Sequence, residues 1–114
     1  MAASTLLPGT LDMLVLKAVS LGSEHGYGLL LRIQRASRDA LVVEQGALYP
    51  ALHRLEAQGL IESEWGVSDN NRKARYYALT RAGRARLGRD VDEWHRLAAA
   101  MNAVLGTTRD ELPG

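Results

Sequence analysis

Apolar residues recur at helical spacing in four stretches of the chain and alternate with polar ones in two more. Leu11, Leu14, Val15 and Ala18 share one helical face, while Met13, Leu16 and Val19 are apolar on others. A helix apolar nearly all round is buried on more than one side. It follows Pro8 and Gly9, with Thr10 expected as N-cap, Asp12 in the first turn and Gly22 ending it. A second helix is predicted to start between His25 and Tyr27 and to run through Leu29, Leu30, Ile33 and Ala36. The two glycines flanking Tyr27 point to close backbone packing at its start. Leu41, Val42 and Val43 have strand character and are expected to be extended.

The third helix begins around Gly46 or Ala47, with Leu48, Ala51, Leu52 and Leu55 as its apolar stripe. Pro50 then falls in the first turn, where backbone N–H groups have no partner inside the helix. Gln58 and Gly59 end it, glycine suiting the left-handed position beyond a C-cap. Leu60–Trp65 and Arg75–Leu79 read as two strands joined by a polar loop from Gly66 to Ala74. Thr80 caps a long last helix, from about Arg81 to Leu105, and the polar stretch 106–114 reads as a disordered tail.

Helix, helix, short strand, helix, hairpin, long helix is the order of a winged helix-turn-helix: mainly α with a small β-hairpin. Residues 1–80 are expected to form the DNA-binding domain and residues 81–105 a dimerisation helix. The helix near Gly46 is then the recognition helix and the loop 66–74 the wing.

In this arrangement the N-terminal part of the recognition helix meets base edges in the major groove. Gln45 stands just before the helix, Tyr49 and His53 lie one turn apart beside the apolar stripe, and Arg54 flanks them. Gln can form a two-pronged bond to adenine, and Tyr and His reach phosphate or base acceptors. The other reading packs the Tyr49 ring on the second helix and leaves His53 as a surface residue. In the wing, Arg72, Lys73 and Arg75 are candidates to hold phosphates or enter a minor groove. Arg81 and Arg84 oppose the dipole of the last helix, a local cost that phosphate contact would offset.

Along that helix Leu87, Val91, Trp94, Ala98, Met101 and Leu105 are spaced as a heptad seam, widened by Leu97 and Val104. About 25 residues make a rod of about 37 Å, longer than a winged domain needs. The seam is therefore expected to meet a second copy of the chain, with the first helix as the surface it packs on. Trp94, in mid-seam, reads either as interface core or as the wall of a slot between subunits that accepts a planar hydrophobic effector.

Composition narrows the function further. Net charge is only +1, but Asn70–Arg89 holds seven basic residues and no acidic one. Positive charge gathered in one stretch suits a phosphate-binding face, although a solvated face in an arginine-rich chain has the same look. With no cysteine there is no disulfide and no cysteine-type zinc site. His25, His53 and His95 are isolated, and no phosphate loop or nucleophile elbow occurs. Glu62 and Glu64 share a strand face and read as solvated. Neither an enzyme nor a cofactor or metal site is expected. With no bilayer-length apolar run and no signal peptide, a cytoplasmic protein is the expectation.

The segments His25-Gly26-Tyr27-Gly28, Gly46 to Glu56 (Gly-Ala-Leu-Tyr-Pro-Ala-Leu-His-Arg-Leu-Glu), Gly59-Leu60-Ile61 and Arg75 to Thr80 with Gly83 closely resemble the PadR family of transcriptional regulators. The resemblance spans about Leu7 to the end of the last helix. It implies a homodimeric winged-helix repressor on an inverted-repeat operator in double-stranded DNA, dimerised by the C-terminal helix. The single last helix resembles the short-tailed branch, in which some members bind flat aromatic compounds between subunits near a tryptophan, the position Trp94 matches. A ligand-responsive repressor is one function class. A winged-helix module for protein–protein contact, which needs no basic wing, is the other.

Overall fold

The computed structural model describes residues 9–112. Pro8, expected to precede the first helix, and the Pro113-Gly114 end of the tail lie outside the described residues. The elements are α1 (Thr10–Ser20), β1 (Glu24–His25), α2 (Gly26–Ala36), α3 (Gln45–Ala57), β2 (Ile61–Val67), β3 (Lys73–Leu79) and α4 (Arg81–Leu105), then a 3-10 turn at Arg109–Glu111. The strands form one antiparallel sheet in the order β1-β3-β2. This is a winged helix-turn-helix followed by a long helix, mainly α with a small sheet.

The apolar stripes converge as the periodicity requires. Val15, Leu16 and Val19 of α1, Leu29 and Ile33 of α2, and Leu48, Ala51, Leu52 and Leu55 of α3 form the core. Ile61 and Tyr77 close it from the sheet and Leu87 from α4. Each large side chain fully removed from water there contributes roughly 1.5–3 kcal/mol.

Several boundaries differ from expectation. Thr10 is the first helical residue of α1 rather than its cap; Gly9 takes the cap position at φ 86°, without a side-chain cap bond. The stretch Leu41–Val43 forms no strand: Leu41 makes a single bridge and Val43 turns into the core. Its path is set by consecutive left-handed residues, Arg38 and Asp39, and by Ser37 Oγ accepting from the Leu41 N–H at 3.0 Å. The short strand lies instead at Glu24–His25, opposite Tyr77 and Tyr76. Two residues are too few to show an alternating pattern, so only the edge of β3 reveals them. Helix α3 starts earlier than expected, at Gln45, which puts Pro50 inside the helix beyond its first turn. The hairpin is also longer than expected, leaving a turn at 68–72, so Lys73 belongs to β3 rather than the loop. The stretch after α4, read as disordered, carries the short turn at Arg109–Glu111.

Local chemistry accounts for the helix starts. His25 Nδ1 accepts from the Gly28 N–H at 3.0 Å and so caps α2. Thr80 Oγ1 accepts from the Gly83 N–H at 3.0 Å and donates to the Gly59 carbonyl at 2.7 Å. Thr80 N–H also donates to the Leu60 carbonyl at 3.2 Å. These bonds tie the root of α4 to the turn between α3 and β2. Gly83 makes the approach possible, because a Cβ there would run into the Leu60 carbonyl oxygen and meet Leu79 Cδ1 at 2.8 Å.

From that root α4 crosses α1, which covers the first part of the seam: Leu87 is buried and Val91 packs against the core. The expectation that the whole seam lacks cover in its own chain is corrected to this extent. Beyond Val91 the helix projects, leaving Leu97 and Met101 each 54% exposed. The molecule measures 63 × 34 × 20 Å, with a radius of gyration of 17.1 Å against about 13 Å for a compact domain of this length.

Gly83→Ala places a methyl group against a backbone carbonyl that has no rotamer to yield, and is expected to destabilise by about 3 kcal/mol or more. Gly88, five residues on, has open space around it, and Gly88→Ala should stabilise by about 0.5–1 kcal/mol. Thermal unfolding followed by circular dichroism compares the two. Equal melting temperatures would show that the root of α4 is not tightly held.

Candidate nucleic-acid interface

Helix α3 begins at Gln45, with Glu44 in the extended cap position. Leu48, Ala51, Leu52 and Leu55 are all buried, so the helix rotation is settled and Gln45, Tyr49 and His53 fall on its exposed side at intervals of one turn. Tyr49 satisfies both readings of its role. Its ring lies over the start of α2, where a Cβ on Gly26 would come within 2.7 Å of Tyr49 Cε1, yet the residue remains 46% exposed. Gly26 thus lets the recognition helix seat against α2. Arg54 is exposed but already engaged: Nη2 donates to Asp12 Oδ1 of α1 at 2.8 Å.

The hairpin register divides one sheet face into two environments. The pairs Ile61–Leu79 and Ser63–Tyr77 lie over the helices, and the pairs Trp65–Arg75 and Val67–Lys73 continue the same face toward the turn. Where the helices end, the face becomes exposed: Ile61 is buried, whereas Trp65 is 60% exposed. The turn is held by Ser68 N–H donating to the Arg72 carbonyl at 2.8 Å and by Asn71 at φ 58°, a conformation Asn tolerates. On the opposite face Tyr76 Oη donates to the Val67 carbonyl at 3.0 Å and its ring covers Gly66.

The three wing cations are exposed but held differently. Arg72 sits in the turn. Lys73 Nζ lies 5.0 Å from the centroid of the Trp65 ring, and the Arg75 guanidinium 5.5 Å from it. Arg75 Nε also donates to Ser63 Oγ at 2.8 Å. Between the start of α2, Tyr49 and this half of the hairpin runs an open groove of about 740 Å³. Arg35, Arg72, Lys73 and Arg75 border it against two carboxylates, Glu24 and Asp69. Tyr49 and the wing cations therefore meet at one groove. Gln45 and His53 do not line it, and Arg81 and Arg84 lie in the exposed first turn of α4.

Tyr27, Arg35 and Trp65 also border the groove, although the sequence did not single them out. The available signal was parity: Trp65 shares the face of core residue Ile61, yet lies where the strand has outrun the helices. Tyr77 forms part of the groove floor. Burial pushes its phenol above the ordinary value near 10, with Glu56 adding to the shift and Arg75 opposing it.

Comparison with known proteins agrees with this geometry. Residues 15–89 match the model of the "Transcriptional regulator PadR-like family". A Mycobacterium tuberculosis protein, "Transcriptional regulator Rv3488", is 53% identical over 65 residues, which make up 57% of this chain and 60% of that one. The structure of a PadR-like transcriptional regulator from Bacillus cereus is 27% identical, with a TM-score of 0.78 over 92% of this chain and 100% of its own. A PadR family regulator from Eggerthella lenta is 33% identical, with a TM-score of 0.73 over 88% of this chain and 85% of its own. The fold and the groove define a winged-helix transcription factor. The chain belongs to the PadR-like family, and is accordingly a DNA-binding transcriptional regulator rather than an enzyme.

A raised phenol pKa gives the sign of a pH dependence. Neutral Tyr77 contributes fully below the unfolded value near pH 10, and that contribution is lost as pH rises through the higher folded value. Tyr77→Phe should therefore flatten the alkaline limb of a melting temperature–pH profile and leave its shape at neutral pH unchanged. An alkaline limb as steep as in the parent would place the phenol in solvent.

Proposed function

We propose that the chain is a homodimeric repressor acting in the cytoplasm, with residues 1–80 as the DNA-binding unit and α4, residues 81–105, as the dimerisation element. It binds an inverted-repeat operator. One observation carries the reading: Tyr49, on the exposed face of α3, and the cation-bearing wing border the same groove, as insertion of a helix into a major groove with a wing on the adjacent backbone requires. Gln45, Tyr49 and His53 face the bases. Arg72, Lys73 and Arg75 hold phosphates. Arg54, bound to Asp12, reaches DNA only by exchanging that partner or sharing it.

The uncovered part of α4 supports the dimer. Trp94, Leu97, Met101, Val104 and Leu105 are all exposed, and a second copy of α4 and α1 would cover them. Ala98, half-buried, lets the helices approach. Leu87 and Val91 sit at the inner margin of this interface, shared with their own core. Trp94 stands on the same face, 39% exposed, where a planar hydrophobic compound would wedge between subunits. Such a compound releases DNA only if it favours a spacing of recognition helices that misses successive major grooves, about 34 Å apart.

Replacing Arg72, Lys73 and Arg75 with Ala should weaken binding to every duplex and lower the slope of log affinity against log salt by about 0.9 for each phosphate no longer neutralised. Gln45→Ala should instead reduce the ratio of operator to non-specific affinity. Fluorescence anisotropy across a salt series distinguishes the two, and an unchanged slope in the wing variant would remove the wing from the interface.

Leu97→Glu with Met101→Glu changes two exposed positions, so the winged domain should remain folded while sedimentation shows a monomer. A stable dimer in that variant would sink the α4 interface. In a Trp65→Phe background the remaining emission belongs to Trp94, and quenching by a planar hydrophobic dye should accompany loss of operator binding. An unquenched Trp94 would leave it as interface core alone.

A further inference from the structure

We propose that Trp65 is itself a DNA-contacting residue, packing its ring on the deoxyribose face of the backbone strand that occupies the wing groove and presenting Lys73 and Arg75 to the flanking phosphates. The proposal rests on the DNA-binding reading above and extends it to a residue outside the basic set.

Burial does not explain the residue. Trp65 is 60% exposed on a strand whose face is already beyond the helices, and its neighbour on that face, Val67, is 66% exposed. What the ring touches is charge. Lys73 Nζ lies 5.0 Å and the Arg75 guanidinium 5.5 Å from its centroid, within the range where a cation is drawn to the π face. Long cationic side chains lose rotamer freedom when ordered. An aromatic platform that already restricts two of them lessens that loss when a ligand arrives.

The groove beside the ring selects the ligand class. Four cations border it against two carboxylates, which calls for a polyanion. Tyr27, Tyr49 and Trp65 supply aromatic surface between the charges. A strand that alternates phosphate with an apolar sugar face matches this alternation. Because sugar and phosphate carry no base identity, Trp65 adds affinity without sequence preference. The backbone of Trp65 is paired with that of Arg75 in the hairpin ladder, so the ring stands on a formed strand rather than on a loose loop.

The test uses the full-length protein and a labelled duplex, reading anisotropy and tryptophan emission in one titration. The parent should show an emission change that tracks binding, and Trp65→Phe should abolish most of that change while anisotropy still reports a complex. Trp65→Ala should weaken binding about tenfold, equally for operator and unrelated duplex, with an unchanged melting temperature. Its salt slope should fall by less than that of the variant lacking Arg72, Lys73 and Arg75. An emission change that survives in Trp65→Phe, or a Trp65→Ala variant that binds as tightly as the parent, overturns the proposal and leaves the DNA-binding reading intact. Failure of the parent to bind any duplex overturns both.

Discussion

The close approach of α4 to the Leu60 carbonyl determines how the two halves of this molecule are joined. Residue 83 has no side chain, so the helix backbone can settle against the turn between α3 and β2. Thr80 then fastens the contact with bonds to Gly59, Leu60 and Gly83. The direction in which α4 leaves is thereby tied to the end of the recognition helix rather than to a flexible linker.

A second glycine contact orders the other end of the recognition helix. Tyr49 lies on Gly26, at the start of α2, and His25 caps that same start. Helices α2 and α3 are therefore positioned by a ring on a backbone, a contact with little slack. The hairpin adds the third part. One face of it is core for two residue pairs and exposed for the next two, a change produced by strand length and not by any change of pattern. Charge is concentrated where that change occurs, and the groove acquires an excess of cations although the whole chain is almost neutral.

Much of this was legible in the residues alone. Periodicity placed α1, α3 and α4, and the buried stripe of α3 contains the four residues it named. The Thr80 cap and the glycine after α3, at φ 74°, were local chemistry and were readable as such. The misplaced strands have a common origin. Glu24–His25 is a strand only because the edge of β3 lies beside it, whereas in Leu41–Val43 pairing stops at the single bridge of Leu41 and Val43 turns into the core. Propensity describes what a segment tolerates, whereas pairing requires a neighbour.

The same distinction separates what the sequence by itself determined from what tertiary structure decided. Helical spacing, caps, turn residues and the Leu-Tyr-Pro helix with its Tyr-Tyr strand sufficed for the winged fold and the family, because each acts within a few residues. They also placed the basic stretch. Which cations are available was decided in three dimensions: Arg54 is bound to Asp12 from 42 positions away, and Lys73 and Arg75 are gathered by Trp65 across the hairpin. The division of the α4 seam was likewise decided there, since Leu87 and Val91 pack on the core whereas Trp94, Leu97, Met101, Val104 and Leu105 are exposed. Side-chain charge and apolarity are properties of a residue, but exposure and partnership depend on distant parts of the chain, and only folding brings those parts together.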